Sequence, residues 1–166
     1  MNIQFYFEKL HDSEEFQEFR EKNPESYLCS GFFVIDKEGN DNKSHLDYFS
    51  PKDNRIISFQ LESMNKVSME NLGNTVPEEI SSDIEFEFDE AENLIIQKME
   101  NENINSKVQK ILFSLQKIGK DNFLVGTIFI SMLGMVKVNI NIKEMKITEF
   151  EKKSLLDFMK ILRKDD

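Results

Sequence analysis

The run FLVGTIFISMLGMVKVNINI, residues 123–142, restricts the fold more than any other part of the chain. It is either a membrane-crossing helix or part of a buried sheet, and its own order decides between them. The uncharged stretch from Phe123 to Val136 is 14 residues long, whereas a helix needs about 20 apolar residues to cross a hydrocarbon core. Beyond it, Val136, Val138, Ile140 and Ile142 alternate with Lys137, Asn139, Asn141 and Lys143. That is the period of a strand with one wet face. On a helix the same lysines and asparagines would be spread around every side. Leu133-Gly134 separates the two apolar segments and offers a turn. We therefore read a β-hairpin, with strands near 123–132 and 135–143. The first strand is apolar on both faces and belongs centrally, beneath a covering element.

The rest of the chain reads as α+β. Asp12 and Glu15 form a capping-box pattern ahead of Phe16 and Phe19, and Asn23-Pro24 ends the segment, which predicts a helix over 12–22. YLCSGFFVID (27–36), SHLDYFS (44–50) and RIISFQLES (55–63) read as three strands joined by the turn-rich KEGNDNK and PKDN segments. Val67 and Met69 suggest a fourth strand, residues 73–82 a loop, and 84–88 a short edge strand or a lead into a helix. Asp89 is placed to cap a helix carrying Leu94, Ile95 and Met99. Ser106 is placed to restart it, because Val108, Ile111, Leu112 and Leu115 recur at helical spacing. Gly119 is its candidate C-cap. A strand over 146–152 follows the Glu144-Met145 turn. Ser154 then caps a last helix with Leu155, Leu156, Phe158, Met159 and Leu162 on one broad apolar face.

Two stretches echo each other. YLCSGFFVID and FLVGTIFISM are both uncharged up to their last residue, with an early glycine, and each leads into an alternating strand and then a short strand, RIISF or KITEF. The expected architecture is α+β: an antiparallel sheet with helices on one face, in two halves of a helix plus a three-strand meander. The halves are residues 1–82, including a linker, and 83–166, including the final helix. FDEAENLIIQKM resembles the opening helix of the PepSY domain, and MVKVNINIKEMKITEFEK resembles its closing hairpin, so residues 87–152 are similar to one such domain and the chain to a tandem pair. That resemblance implies a cystatin-like fold.

Charge and residue inventory exclude several functions. A formal net charge of −10, with no lysine or arginine cluster, argues against nucleic acid and against an anionic membrane surface. Cys29 is the sole cysteine, so no internal disulfide forms, and MNIQFYFEKLHDSEEF lacks the features of a signal peptide; the expected compartment is the cytoplasm. The two histidines, His11 and His45, are not spaced as metal ligands. A Cys29–His45 nucleophile pair is disfavoured, since hairpin pairing of 27–36 with 44–50 puts Ile35 opposite His45 and Cys29 about six residues away. Asp36 and Asp47 flank that hairpin, and Glu85, Glu87, Asp89 and Glu90 gather before a helix. With 31 carboxylates such groupings carry little information, and solvated faces and helix-dipole complementation account for them. No phosphate loop or Ca²⁺ loop is present, and no catalytic residue, metal ligand or cofactor is assigned. The expected function is a non-enzymatic binding or protein-interaction module, with a protein partner or a second copy of itself. The alternative is an enzyme or carrier of a small ligand held between sheet and helices. An interface filled by Phe and Leu favours the first, and an enclosed polar pocket the second.

Overall fold

In the computed structural model, residues 1–73 and 75–164 are described. Ile3, Phe7 and Leu10 recur on one side of α1 (Ile3–His11) and are buried, and the Asn2 side chain caps the helix by accepting the Gln4 amide at 2.8 Å. A second helix, α2 (Glu14–Lys22), buries Phe16 and Phe19. The one helix expected over 12–22 is thus corrected at its start. Ser13 is the N-cap, accepting from the Phe16 amide, while Asp12 closes α1. The polar faces of these short helices hid the break between them.

The strands are β1 (Tyr27–Asp36), β2 (Lys43–Ser50), β3 (Arg55–Gln60) and β4 (Lys66–Glu70), then, after α3 (Phe88–Asn101), β5 (Val108–Ile118), β6 (Asp121–Ile130), β7 (Gly134–Asn141) and β8 (Lys146–Ser154); α4 (Leu155–Lys164) ends the chain. All eight strands form one antiparallel sheet in the order β4-β3-β2-β1-β5-β6-β7-β8. The hairpin read from residues 123–142 is β6 and β7, and the protein is α+β. Between β4 and α3, residues 75–80 lie against the start of β1. There the Tyr27 hydroxyl donates to the Pro77 carbonyl at 2.6 Å and the Ile80 amide to the Leu28 carbonyl at 2.8 Å.

Residues 108–118 correct the expected helix. They are β5, paired with β1 on one side and β6 on the other. Their spacing fits both periods: Ile111, Phe113 and Leu115 are fully buried on one face, while Leu112 and Ser114 are half-buried on the other. Two neighbouring strands to pair with decide the outcome, a tertiary effect that local spacing does not contain. Gly119, at φ +64°, serves the β5–β6 turn and caps no helix. The pairing of 27–36 with 123–132 also aligns strands at different places in the sheet, since β1 lies at its middle and β6 two strands further out.

Two smaller expectations shift. At the β6–β7 turn the positive φ falls on Met132 and Leu133 (66° and 56°), while Gly134 is needed for space, as a Cβ there would lie 2.7 Å from the Ile130 side chain. The N-cap of α3 is Glu87, ahead of the expected Asp89. Of the two expectations for residues 84–88, the lead into a helix holds: they run into α3, with a bridge between Asn2 and Glu87 in place of a strand.

Helices α1, α2 and α3 cover one face of the sheet. Phe33, Leu46, Phe59, Phe113, Leu115, Leu124 and Ile128 rise from it to meet Phe7, Phe16, Phe19 and Ile95. On the opposite face, Phe32, Val34, Leu112, Val125, Phe129 and Met135 are half-buried and stand outside that core.

Candidate functional site

The uncovered face carries a compact polar cluster. Strand register sets Ser30 and Ser58 on either side of Asp47, and His45 two residues along β2 from it. The Asp47 carboxylate, buried, accepts from the Ser30 hydroxyl at 2.6 Å, from the Ser58 hydroxyl, and from His45 Nδ1 at 2.8 Å. The His45 ring is stacked on Phe32 with centroids 5.4 Å apart. Burial pushes the Asp47 carboxyl upward, but the bonds from His45, Ser30 and Ser58 outweigh it and hold the group below its ordinary value. His45 is raised, first by its hydrogen bond to Asp47, against the opposing effect of burial. Both serine hydroxyls are committed to Asp47 as donors, so neither is set up as a nucleophile activated by His45.

The opposite shifts predict a pH profile. The depressed Asp47 contributes stability above the unfolded value of 3.8, lost as pH falls through its folded pKa. The raised His45 contributes stability that is full below 6.5 and is lost as pH rises through its folded pKa. Asp47→Ala strands three donors and should cost about 2–3 kcal/mol. The loss measured by urea denaturation should be largest between these two pH values and should shrink on either side. A flat difference from acid to alkali would show that the pair carries no folding-linked charge.

Cys29 lies at a β-bulge. Its thiol donates to the Asp47 carbonyl at 3.4 Å, and burial pushes its pKa up to about 11, so it is a poor nucleophile. The register corrects the expected one, since Phe32, not Ile35, faces His45. Cys29 is then three strand positions from that pair, roughly 10 Å, and the two remain apart. Asp36 is exposed to the β1–β2 turn, where it accepts the amides of Glu38, Gly39 and Asp41. Glu85, Glu87, Asp89 and Glu90 are all exposed at the start of α3. Among the described residues no group of three His, Cys, Asp or Glu converges as a metal site would require.

On the helix-covered side, a cavity of about 290 Å³ opens where α1 and α2 meet β1, β2 and the 79–82 segment. His11, Phe16, Arg20, Ser26, Tyr48 and Glu79 line it. Away from this corner the interface is filled by Phe, Leu and Ile. A third feature is apolar. Ser154 pairs with Gly134 in the β7–β8 ladder, so the β6–β7 turn adjoins the start of α4. Met132 and Leu133 in the turn are 91% and 58% exposed, and Leu156, Met159 and Leu162 on α4 are 54%, 53% and 56% exposed. Leu155 and Phe158, also expected on that apolar face, lie outside the described side chains.

The serine partners of Asp47 escaped the sequence reading, although Ser30 is a polar residue in the otherwise mostly apolar β1. Strand register was the missing information. The cavity residues come from four separate segments and left no local pattern.

No protein-family model matches the chain, and no curated protein does. Among the described residues no helix is long and apolar enough to cross a membrane. Among solved structures, a protein of Clostridium difficile 630 described as a "putative lipoprotein" shares the fold. It has a TM-score of 0.57 at 12% identity, over 82% of this chain and 89% of that one.

Proposed function

We propose that the protein is a non-enzymatic protein-interaction module that associates with a second copy of itself through α4 and the adjoining β6–β7 turn. The exposed apolar corner of Met132, Leu133, Leu156, Met159 and Leu162 carries this reading. Clusters of this kind on a soluble surface mark contact sites. Each molecule has an unpartnered helix stripe and, on the uncovered face of the sheet, a half-buried apolar surface around Phe32, Leu112 and Phe129. Reciprocal docking of stripe on face would cover both in a closed dimer.

Several observations bear on the wider reading. A sheet–helix interior filled by Phe and Leu favours a binding module over an enzyme. The order of α3 followed by an antiparallel meander over residues 88–154 supports a PepSY-like relationship for that half, with one strand more than the three expected. A cytoplasmic location is our reading of the single cysteine, whose thiol stays protonated and hydrogen-bonded.

Sedimentation equilibrium tests the association. The full chain should form dimers that the triple variant Leu156→Glu, Met159→Glu, Leu162→Glu abolishes, with unchanged circular dichroism. A wild-type chain that stays monomeric at every concentration would overturn the proposal. So would pelleting of the chain with phosphatidylglycerol vesicles in an α4-dependent manner without dimerisation, which would assign the stripe to a lipid surface.

A further inference from the structure

The cavity at the α1–α2 corner is lined by two polar groups, the Tyr48 hydroxyl and the Arg20 guanidinium, that are open to a ligand. Tyr48 is 4% exposed, wedged against Phe16 at a centroid distance of 4.9 Å, yet among the described residues its hydroxyl has no hydrogen-bond partner and borders the cavity. Beside it, Arg20 is half-buried. Its Nη1 donates to the Ser26 carbonyl and, at 3.1 Å, to the Ser26 hydroxyl. Those bonds fix the guanidinium but do not neutralise it, and among the described residues no carboxylate pairs with it. Its charge is felt at both Tyr48 and His11.

We propose that this cavity binds a small monocarboxylate, whose carboxylate is held by the Arg20 guanidinium and the Tyr48 hydroxyl and whose apolar body lies along Phe16. The rest of the lining fits. Burial pushes the Tyr48 phenol up to about 12, so it stays a donor. His11, stacked on Phe16 at 5.0 Å, is held below its usual value by burial and by Arg20, and offers a neutral imidazole edge. A carboxylate suits the planar guanidinium fork in a way a halide does not. Glu79 at the rim adds negative charge, which disfavours a dianion such as phosphate. At about 290 Å³ the space is at the small end for ligand pockets and suits an aromatic or short branched acid.

Nuclear magnetic resonance titration of the full chain tests this, with benzoate, benzamide and inorganic phosphate as probes. Benzoate should saturably shift the ring signals of Tyr48 and His11. The neutral isostere benzamide should bind at least about 10-fold more weakly, and phosphate should not compete. Tyr48→Phe keeps the packed ring and removes only the hydroxyl. It should weaken benzoate by about 10-fold while leaving the melting temperature close to the wild-type value, and Arg20→Gln should abolish binding. Equal binding of benzoate and benzamide would overturn the proposal, as would displacement by phosphate or the absence of any saturable shift in a folded protein.

Discussion

Phe59→Ala should lower the unfolding free energy by about 3–5 kcal/mol, a large part of the total for a chain of this size. Phe59 is 1% exposed and pairs with Leu46 across the β2–β3 ladder. Its ring meets Phe16 at 5.3 Å, Phe19 at 5.2 Å and Tyr48 at 5.9 Å, three of them edge-on. Phe16 and Phe19 are the only buried side chains of α2, so removing this one ring takes away most of what seats that helix. The edge-to-face geometry adds to the area lost. Phe59→Leu restores volume but not the ring edges and should cost less than half as much. Urea denaturation of both variants measures the difference. If Phe59→Ala loses less than about 1 kcal/mol, α2 is not held by this cluster.

Gly126→Val should be comparably severe for the opposite reason. Gly126 sits on β6 between Phe113 of β5 and Val138 of β7, on the face beneath the helices. A Cβ there would lie 2.7 Å from Val138 Cγ2, 3.4 Å from Phe113 Cε1 and 3.5 Å from Ile128 Cδ1. Val138 is β-branched and has little rotamer freedom on a strand, so the strands themselves must move apart. Overpacking of this kind costs about 1–3 kcal/mol for the first methyl, and the two further methyls of valine have no space at all. A fall in melting temperature of at least about 6–12 °C follows for a domain of this length. Gly73→Ala is the control, since its Cβ would meet nothing closer than 3.4 Å and its φ is ordinary. A Gly126→Val protein that melts with the wild type would mean that β6 and β7 are not packed as described.

These two residues also mark how much could be read in advance. The strand of Tyr27–Asp36 and the hairpin of residues 123–142 were legible because their apolar residues exclude other assignments: one run is uncharged, the other alternates strictly. Gly126 was visible as a glycine in a strand, but its role depends on Phe113 and Val138, and Phe113 lies in a segment whose spacing favoured a helix. Val108, Ile111, Leu112 and Leu115 satisfy the helical period because β5 is apolar on one face and half-apolar on the other. Only the presence of β1 and β6 as neighbours resolves the ambiguity. Residues 12–22 were legible as helix, whereas Ile3, Phe7 and Leu10 lie in a nine-residue helix whose further aromatics, Phe5 and Tyr6, blur its apolar face. The cluster around Asp47 and the cavity around Tyr48 need register and tertiary proximity, neither of which a single chain displays.

The ladder between β1 and β5 has a consequence for how the chain reaches this state. Every other ladder joins strands that follow one another, so each of the two four-strand runs closes through short loops. Among the ladders, that of β1 and β5 alone joins strands far apart in the chain, 84 positions for Gly31 and Leu115, a span matched by the bridge of Asn2 and Glu87. Closing that one long loop costs roughly 4 kcal/mol of chain entropy, while a short turn costs a fraction of it. Contacts of high sequence separation slow folding, so the barrier concentrates at a single step, the meeting of two preformed hairpin stacks along their central strands. Opening the sheet along that line would leave the hydrogen bonds within both meanders intact.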